Sequence, residues 1–178
     1  MYKQFWMGLL LMAATTTVQA QVLQTKAGQI RFFSSTPTED IEATNNQAVS
    51  KLDTKTGAMQ FMVLIKGFRF ENELMQQHFN DDYLESSKFP KGEFKGKITN
   101  IAAINFAKDG TYPATAEGDL IIHGVTKKTK ATGSITITKG KVSLKSVFKI
   151  KITDFNISGS EIGKAIAKEL EITVTAAY

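Results

Sequence analysis

Residues 141–152 read KVSLKSVFKIKI, and this stretch decides the fold class. Even positions carry mostly Val, Leu, Phe and Ile, whereas odd positions carry mostly Lys and Ser. A period of two places successive side chains on opposite faces of a β-strand, so one face is apolar and the other is hydrophilic. The same alternation recurs at 116–122 and 170–178. The pattern predicts an all-β protein built from antiparallel strands, of the kind that can close into a barrel.

Extending this interpretation along the chain predicts about eight or nine strands. They are expected at 22–34, 41–53, 58–66, 93–106, 112–125, 128–138, 141–154 and 170–178. Hairpin turns are expected at Lys139-Gly140 and around Lys108-Asp109-Gly110, because glycine follows polar turn residues there. The strand at 58–66 is apolar on both faces, which predicts that both faces are covered.

One segment, 71–83, changes to helical spacing and predicts the single helix. Its apolar stripe consists of Leu74, Met75 and Phe79, and Pro90 prevents the helix from continuing. Two placements are open at this stage. The helix either lies across the barrel with this stripe turned inward as a lid or wall, or packs on the outer face of the strand at 58–66.

The first twenty residues are predicted to be a secretory signal peptide. Lys3 precedes a short apolar run, and Val18-Gln19-Ala20 suits cleavage between Ala20 and Gln21. The remaining residues, 21–178, are of a size suited to one domain with a single core. We therefore expect an exported protein, periplasmic or secreted.

Charge and cysteine content restrict the function classes. The chain has no cysteine, which excludes disulfides and thiol chemistry, and its formal net charge is +5. The lysines are spread over outward strand positions, which is typical of a solvated outer face. Lys127, Lys128 and Lys130 form the one local cluster, and they either belong to a solvated loop or bring a barrel rim into transient contact with a membrane surface.

Sequence motifs for catalysis are absent. No nucleophile elbow, metalloprotease motif, phosphate loop or dinucleotide fingerprint occurs. His78, on the helix, and His123, on an outward strand position, lack neighbours at metal-ligand spacing. Aromatic residues occupy mostly inward positions, which disfavours nucleic-acid binding by base stacking. We predict no catalytic residue, no metal site, no cofactor and no nucleic-acid partner.

The alternation instead predicts an apolar interior. The candidate lining residues are Phe32, Phe61, Val63, Leu74, Met75, Phe79, Leu120, Ile122, Ile135, Leu144, Phe148, Ile150, Ile172 and Val174. Pattern alone leaves two alternatives, a solid core and a cavity that holds an apolar ligand. Gly96, Gly118 and Gly133 lie inside strand patterns, where glycine relieves the coiling of a closed barrel, leaves room for a ligand, or is simply tolerated.

Several motifs resemble the YceI family of exported, polyisoprenoid-binding proteins. They are GDLIIHGVTK at 118–127, ESSKFP at 85–90, IRFFSSTPTEDIEA at 30–43 and TDF at 153–155. The resemblance covers essentially all of residues 21–178. It implies an extended, lipocalin-like, eight-stranded antiparallel barrel whose pocket holds a long isoprenoid chain, such as the tail of a quinone or polyprenyl lipid.

The function that this resemblance implies is a non-catalytic carrier or store for an isoprenoid lipid, acting as a monomer or homodimer. Two alternatives remain open. The protein could be an accessory enzyme that acts on the lipid head group, or a solid-core barrel that serves as a stress or interaction protein.

Overall fold

The computed structural model describes residues 22–178, which form a closed barrel of eight antiparallel strands. Each strand pairs with its sequence neighbours, and the last strand pairs with the first. The strands are β1 (Val22–Ser35), β2 (Asp40–Asp53), β3 (Ala58–Leu64), β4 (Lys91–Ile98), β5 (Gly110–Ile122), β6 (Val125–Thr138), β7 (Lys141–Lys151) and β8 (Glu169–Ala177). The all-β prediction is confirmed. The predicted signal peptide and its cleavage site lie outside the described residues.

The connections add short helical elements. Helix α1 (Glu73–His78) continues into one π-helical turn (Phe79–Tyr83), and together they account for the predicted helix. Single 3₁₀ turns lie at Ile65–Gly67, Ile101–Ala103 and Ile152–Phe155. No helix within residues 22–178 combines the length and hydropathy needed to cross a bilayer.

The barrel has two unlike ends. We call one the mouth end, formed by the β1–β2 turn, the 65–90 connection, the β5–β6 turn and the 152–168 connection. We call the other the base, formed by the turn at 54–57, the connection at 99–109 and the turn at 139–140. A packed cluster that includes Leu52, Ile98, Ile135 and Ile137 fills the base, where these side chains are almost completely buried.

Two tight hairpins determine the register of strands β5 to β7. Lys139-Gly140 joins β6 to β7 with positive φ at both residues, as predicted. His123-Gly124 joins β5 to β6 in the same way, with φ of 50° and 74°. The prediction of a strand through His123 was therefore wrong, because the chain reverses there.

The predicted hairpin around Lys108-Asp109-Gly110 was also wrong. Strand β4 ends at Ile98, and residues 99–109 form a longer connection. Asn100 replaces the missing strand partner, since its side-chain amide bonds to the backbone of Pro113 and Thr115 on β5 at 2.9 Å each. Satisfying those backbone groups locally removes the need to extend the ladder.

Strand β3 is covered on its inner face only. Leu64 is 51% exposed and Met62 is half-buried, so the predicted cover on both sides is wrong. Strand β2 is longer than β3, and its mouth-end half pairs instead with the chain that follows β3, through two backbone hydrogen bonds between Thr44 and Arg69. Buried Asn45 fixes this crossing by donating to the carbonyl of Leu64 at 2.9 Å.

Candidate functional site: an apolar cavity in the barrel

The barrel encloses a cavity of about 680 Å³ between the packed base and the mouth end. All eight strands contribute lining residues, as do the 65–90 and 152–168 connections. Pockets that bury most of the surface of a drug-sized ligand have volumes in this range. The interior is therefore not a solid core throughout.

Most of the candidate lining residues face this cavity. Those that line it are Phe32, Phe61, Val63, Met75, Phe79, Leu120, Ile122, Leu144, Phe148, Ile150, Ile172 and Val174. Those on strands reach it because alternate residues of a β-strand share the inner face. Leu74 and Ile135 do not line it.

Leu74 is 59% exposed and points away from the barrel. Helix α1 is short, and only one of its sides contacts the barrel. Met75 of α1 and Phe79 of the following π-helical turn, four residues apart, occupy that side, whereas Leu74 faces the solvent. The prediction that Leu74 turns inward was wrong, because it stands about 100° around the helix from Met75. The segment forms a wall of the cavity rather than packing outside β3.

Ile135 faces the barrel interior but lies below the cavity. It is completely buried in the base cluster, opposite Leu144 on β7. Its placement as a cavity-lining residue was therefore wrong. Alternation identified its face correctly but could not tell where along the strand the packed base begins.

An aromatic cluster near the mouth end was only partly anticipated. It consists of Phe32, Phe68, Phe70 and Phe79, with ring centroids 5.0–5.6 Å apart in the contacting pairs. Phe68 and Phe70 lie in the extended segment that pairs with β2 at Arg69, so both turn to the same side. The two-residue spacing in GFRF, at 67–70, was the signal for this arrangement.

The cavity becomes more polar where the connections of the mouth end surround it. The lining residues there include Glu39, His78, Asp82, Tyr83, Ser158, Ser160 and Glu161. Partial burial raises the pKa of the Tyr83 hydroxyl, and the nearby charges of Glu161 and Asp82 add to this effect. The phenol therefore stays protonated and is able to donate a hydrogen bond to a polar group at the mouth.

The 152–168 connection closes one side of the mouth end. Three of its own residues, Ile152, Phe155 and Ile157, are buried beside cavity-lining residues of β5 and β7. The backbone N–H of Ala167 donates to the hydroxyl of buried Ser34 at 2.9 Å, which attaches the connection to β1, the strand that pairs with β8. The arrangement is a long apolar chamber with a polar rim, which is suited to an amphipathic ligand.

Comparison with known proteins places this arrangement in a family. Residues 11–178 match the YceI-like domain. The chain belongs to this family. A search of the curated proteins found no significant match.

Solved structures share the YceI-like fold at low sequence identity. A polyisoprenoid-binding domain from Saccharophagus degradans, implicated in plant cell wall breakdown, aligns with a TM-score of 0.76, 11% identity and coverage of 90% of this chain and 98% of that one. Burkholderia cenocepacia BcnA aligns with a TM-score of 0.72 and 16% identity, over 85% of this chain and 96% of that one. The Campylobacter jejuni YceI protein aligns with a TM-score of 0.53 and 20% identity, over 99% of each chain. These likenesses support the barrel fold.

The two most specific YceI-like motifs contact each other at the mouth end. His123 of GDLIIHGVTK, with a side chain only 10% exposed, places Nε2 2.8 Å from a carboxylate oxygen of Glu85 in ESSKFP. Its Nδ1 lies 3.2 Å from the carbonyl of Phe155, and its ring packs on Phe89. His123 therefore joins three connections, and the expectation of an outward strand position was wrong.

Neither histidine lies in a metal-binding cluster. His78 pairs with Asp82, four residues later, at 2.5 Å, and both side chains are more than half exposed. Within residues 22–178 no group of three His, Cys, Asp or Glu side chains converges as a metal site requires.

Proposed function

We propose that this YceI-like protein binds the tail of an isoprenoid lipid in its cavity and acts as a carrier or store without changing the lipid chemically. The observation that carries this proposal is the 680 Å³ apolar cavity, which is closed at the base and becomes more polar toward the mouth end. The polyisoprenoid binding named for the related domain from Saccharophagus degradans supports the same ligand class.

Transfer of a hydrocarbon tail from water into the cavity is energetically favourable. Burial of one methylene contributes about 0.8 kcal/mol, so one five-carbon isoprene unit contributes roughly 3 kcal/mol before the cost of ordering the tail. The cavity lining supplies aliphatic and aromatic side chains for that burial, and the rim supplies hydroxyl and carboxylate groups for a head group.

Native mass spectrometry of the purified protein, followed by denaturing lipid extraction, tests the proposal. We expect a bound adduct that is an isoprenoid, or uptake of an added prenyl alcohol or quinone by ligand-free protein. A protein that is repeatedly found empty and takes up none of these lipids would instead support a stress or interaction protein. Chemical change of the head group on incubation would support the accessory enzyme.

A matched pair of variants locates the binding in the cavity. Ile150→Gln introduces an amide into the cavity lining, whereas Val147→Gln introduces the same amide on the outer face of β7, where Val147 is exposed. An unpaired polar group against the tail costs about 1–3 kcal/mol, which corresponds to roughly 5- to 150-fold weaker binding. Equal effects of the two substitutions would place the ligand elsewhere.

We further propose that loading occurs by contact with a membrane, because a free isoprenoid tail is nearly insoluble. The lysine cluster Lys127, Lys128 and Lys130 follows the β5–β6 turn at the mouth end. Lys128 pairs with Asp119 at 2.8 Å and Lys130 pairs with Glu117 at 3.1 Å, so part of this charge is neutralised. We expect the triple Lys→Gln variant to transfer a fluorescent isoprenoid between anionic vesicles more slowly, by a modest factor. An unchanged rate would exclude this route.

We also propose that the protein is exported to the periplasm, on the strength of the pattern in residues 1–20. N-terminal sequencing of protein recovered from the periplasmic fraction is expected to begin at Gln21. Full-length protein retained in the cytoplasm would contradict export.

A further inference from the structure

The size of the cavity restricts the length of the tail that it holds. Its volume is about 680 Å³. A methylene group in a liquid takes up about the volume of a water molecule, roughly 30 Å³. The cavity therefore accommodates on the order of 23 carbon atoms at liquid density, which is between four and five isoprene units.

The depth of the strand-lined part of the cavity gives a second, independent estimate. Along β7 the lining runs from Leu144 to Ile150. Six residue steps at about 3.3 Å, on a strand tilted by roughly 40° to the barrel axis, correspond to about 15 Å of depth. An extended carbon chain with bonds of about 1.5 Å advances roughly 1.25 Å per bond, so three isoprene units span this length. The mouth-end connections, which also line the cavity, lengthen it further.

A belt of small residues determines how deep the tail reaches. Ala116 on β5 pairs with Ala131 on β6, and Gly133 on β6 pairs with Ser146 on β7. All four line the cavity. Ala131 and Gly133 are successive inward positions of β6, so these small side chains extend over two adjacent levels of the barrel and leave its centre empty there.

The belt ends abruptly at a closed floor. Two residues further toward the base, Ile135 on β6 pairs with Leu144 on β7, and both side chains are buried. Ile98 on β4, which pairs with Ala116 on β5, is 2% exposed and packs in the same base cluster as Ile135 and Leu144. A tail that reaches this level has no path into the base.

We propose that this cavity holds a tail of about four isoprene units, near twenty carbons, and that the belt of Ala116, Ala131, Gly133 and Ser146 sets this limit. The inference rests on the proposed function and deepens it by naming the length class of the ligand. Longer polyprenyl tails keep their additional units outside the barrel, at the mouth end, where burial adds little affinity.

A series of all-trans prenyl alcohols with two to nine isoprene units tests the limit, because every member carries the same hydroxyl head group. The alcohols are presented at equal mole fraction in mixed micelles, and binding is measured by displacement of a fluorescent fatty-chain probe. We expect affinity to rise with each unit up to about four and then to level off. Affinity that keeps rising to nine units would overturn the length limit while leaving lipid binding intact. Failure of every alcohol to bind would overturn the proposed function, and the limit with it.

Filling the belt tests the residues. Ala131→Leu places a larger side chain at the belt level, and Thr132→Leu places the same side chain on the exposed outer face of β6 as a control. We expect Ala131→Leu to weaken binding of the four-unit alcohol by about tenfold or more, the value for roughly two methylenes excluded from the cavity. Binding of the two-unit alcohol should change little.

Ala116→Leu enters the same level from β5 and provides a second variant if Ala131→Leu folds poorly. Retained binding of the two-unit alcohol shows in each case that the barrel is intact. Equal weakening at all lengths by both belt variants, or no weakening at four units, would overturn the role of the belt.

Discussion

Strands β4 and β5 approach each other most closely where Gly96 faces Gly118, and this contact gives a quantitative stability prediction. A Cβ atom added at Gly118 would stand 2.5 Å from the Cα of Gly96 and close to the carbonyl oxygen of Lys95. Carbon atoms in ordinary contact are about 3.5–4.0 Å apart, so the two strands would have to separate by roughly 1 Å. Both obstacles are backbone atoms, which cannot move aside by changing rotamer.

We expect Gly118→Ala to destabilise the barrel by about 2–3 kcal/mol. Forced separation of packed groups costs roughly 1–3 kcal/mol, and stretching of ladder hydrogen bonds adds about 1 kcal/mol. The reduced flexibility of the unfolded alanine chain returns about 0.5–1 kcal/mol. With a urea dependence of about 1–3 kcal/mol per molar, the unfolding midpoint falls by on the order of 1 M.

Gly92→Ala is the matched control, because Gly92 also lies within a strand and faces the interior. The nearest atoms to its added Cβ are side-chain ends, Val63 Cγ1 at 3.3 Å and Ile65 Cδ1 at 3.7 Å. We expect a change within about 1 kcal/mol of zero. Urea unfolding followed by circular dichroism compares the two variants. Equal midpoints for Gly118→Ala and Gly92→Ala would refute the close-approach reasoning.

Three further predictions concern the base and the mouth end. Leu52→Ala removes a completely buried side chain of the base and should lower the free energy of unfolding by about 2–5 kcal/mol in a denaturant titration. The affinity for prenyl alcohols should be retained, because Leu52 lies below the cavity. Lost affinity without lost stability would contradict this placement. Tyr178→Phe removes the 2.5 Å hydrogen bond to buried Ser50, at a cost of about 1–3 kcal/mol at neutral pH. Burial raises the pKa of Tyr178, so the wild type should lose stability as the pH rises above about 10, and the variant should lose less; parallel pH profiles of wild type and variant would exclude this. The hydrogen bond from His123 lowers the pKa of Glu85 below its ordinary 4.5, so its contribution is present above pH 4.5 and is lost as the pH falls through the lowered value. The difference in urea midpoint between wild type and Glu85→Gln should therefore shrink in acid, and a constant difference from pH 7 to pH 3 would argue against this contact.

The errors of the sequence-based predictions have physical causes in the tertiary structure. His123 takes the next outward position in the alternation of β5, yet the chain reverses there because His123 and Gly124 form the tight turn into β6. Leu74 shares the helical spacing of Met75 and Phe79, but a helix this short turns only one side to the barrel. Ile135 has the correct face, but it lies at the level of the packed base.

The sequence by itself determined the all-β class, the inward face of most strands and the family-level expectation of an apolar pocket, because alternation is a local property of consecutive residues. Whether the interior is solid or hollow was decided only by the tertiary structure. That outcome depends on which side chains meet at each level of the closed barrel. Gly133 meets Ser146 and leaves a cavity, whereas Ile135 meets Leu144 and closes the floor. The tight β6–β7 turn sets these two pairings, but the barrel closes only when β1 pairs with β8, and that long-range pairing decides which other side chains surround the same space.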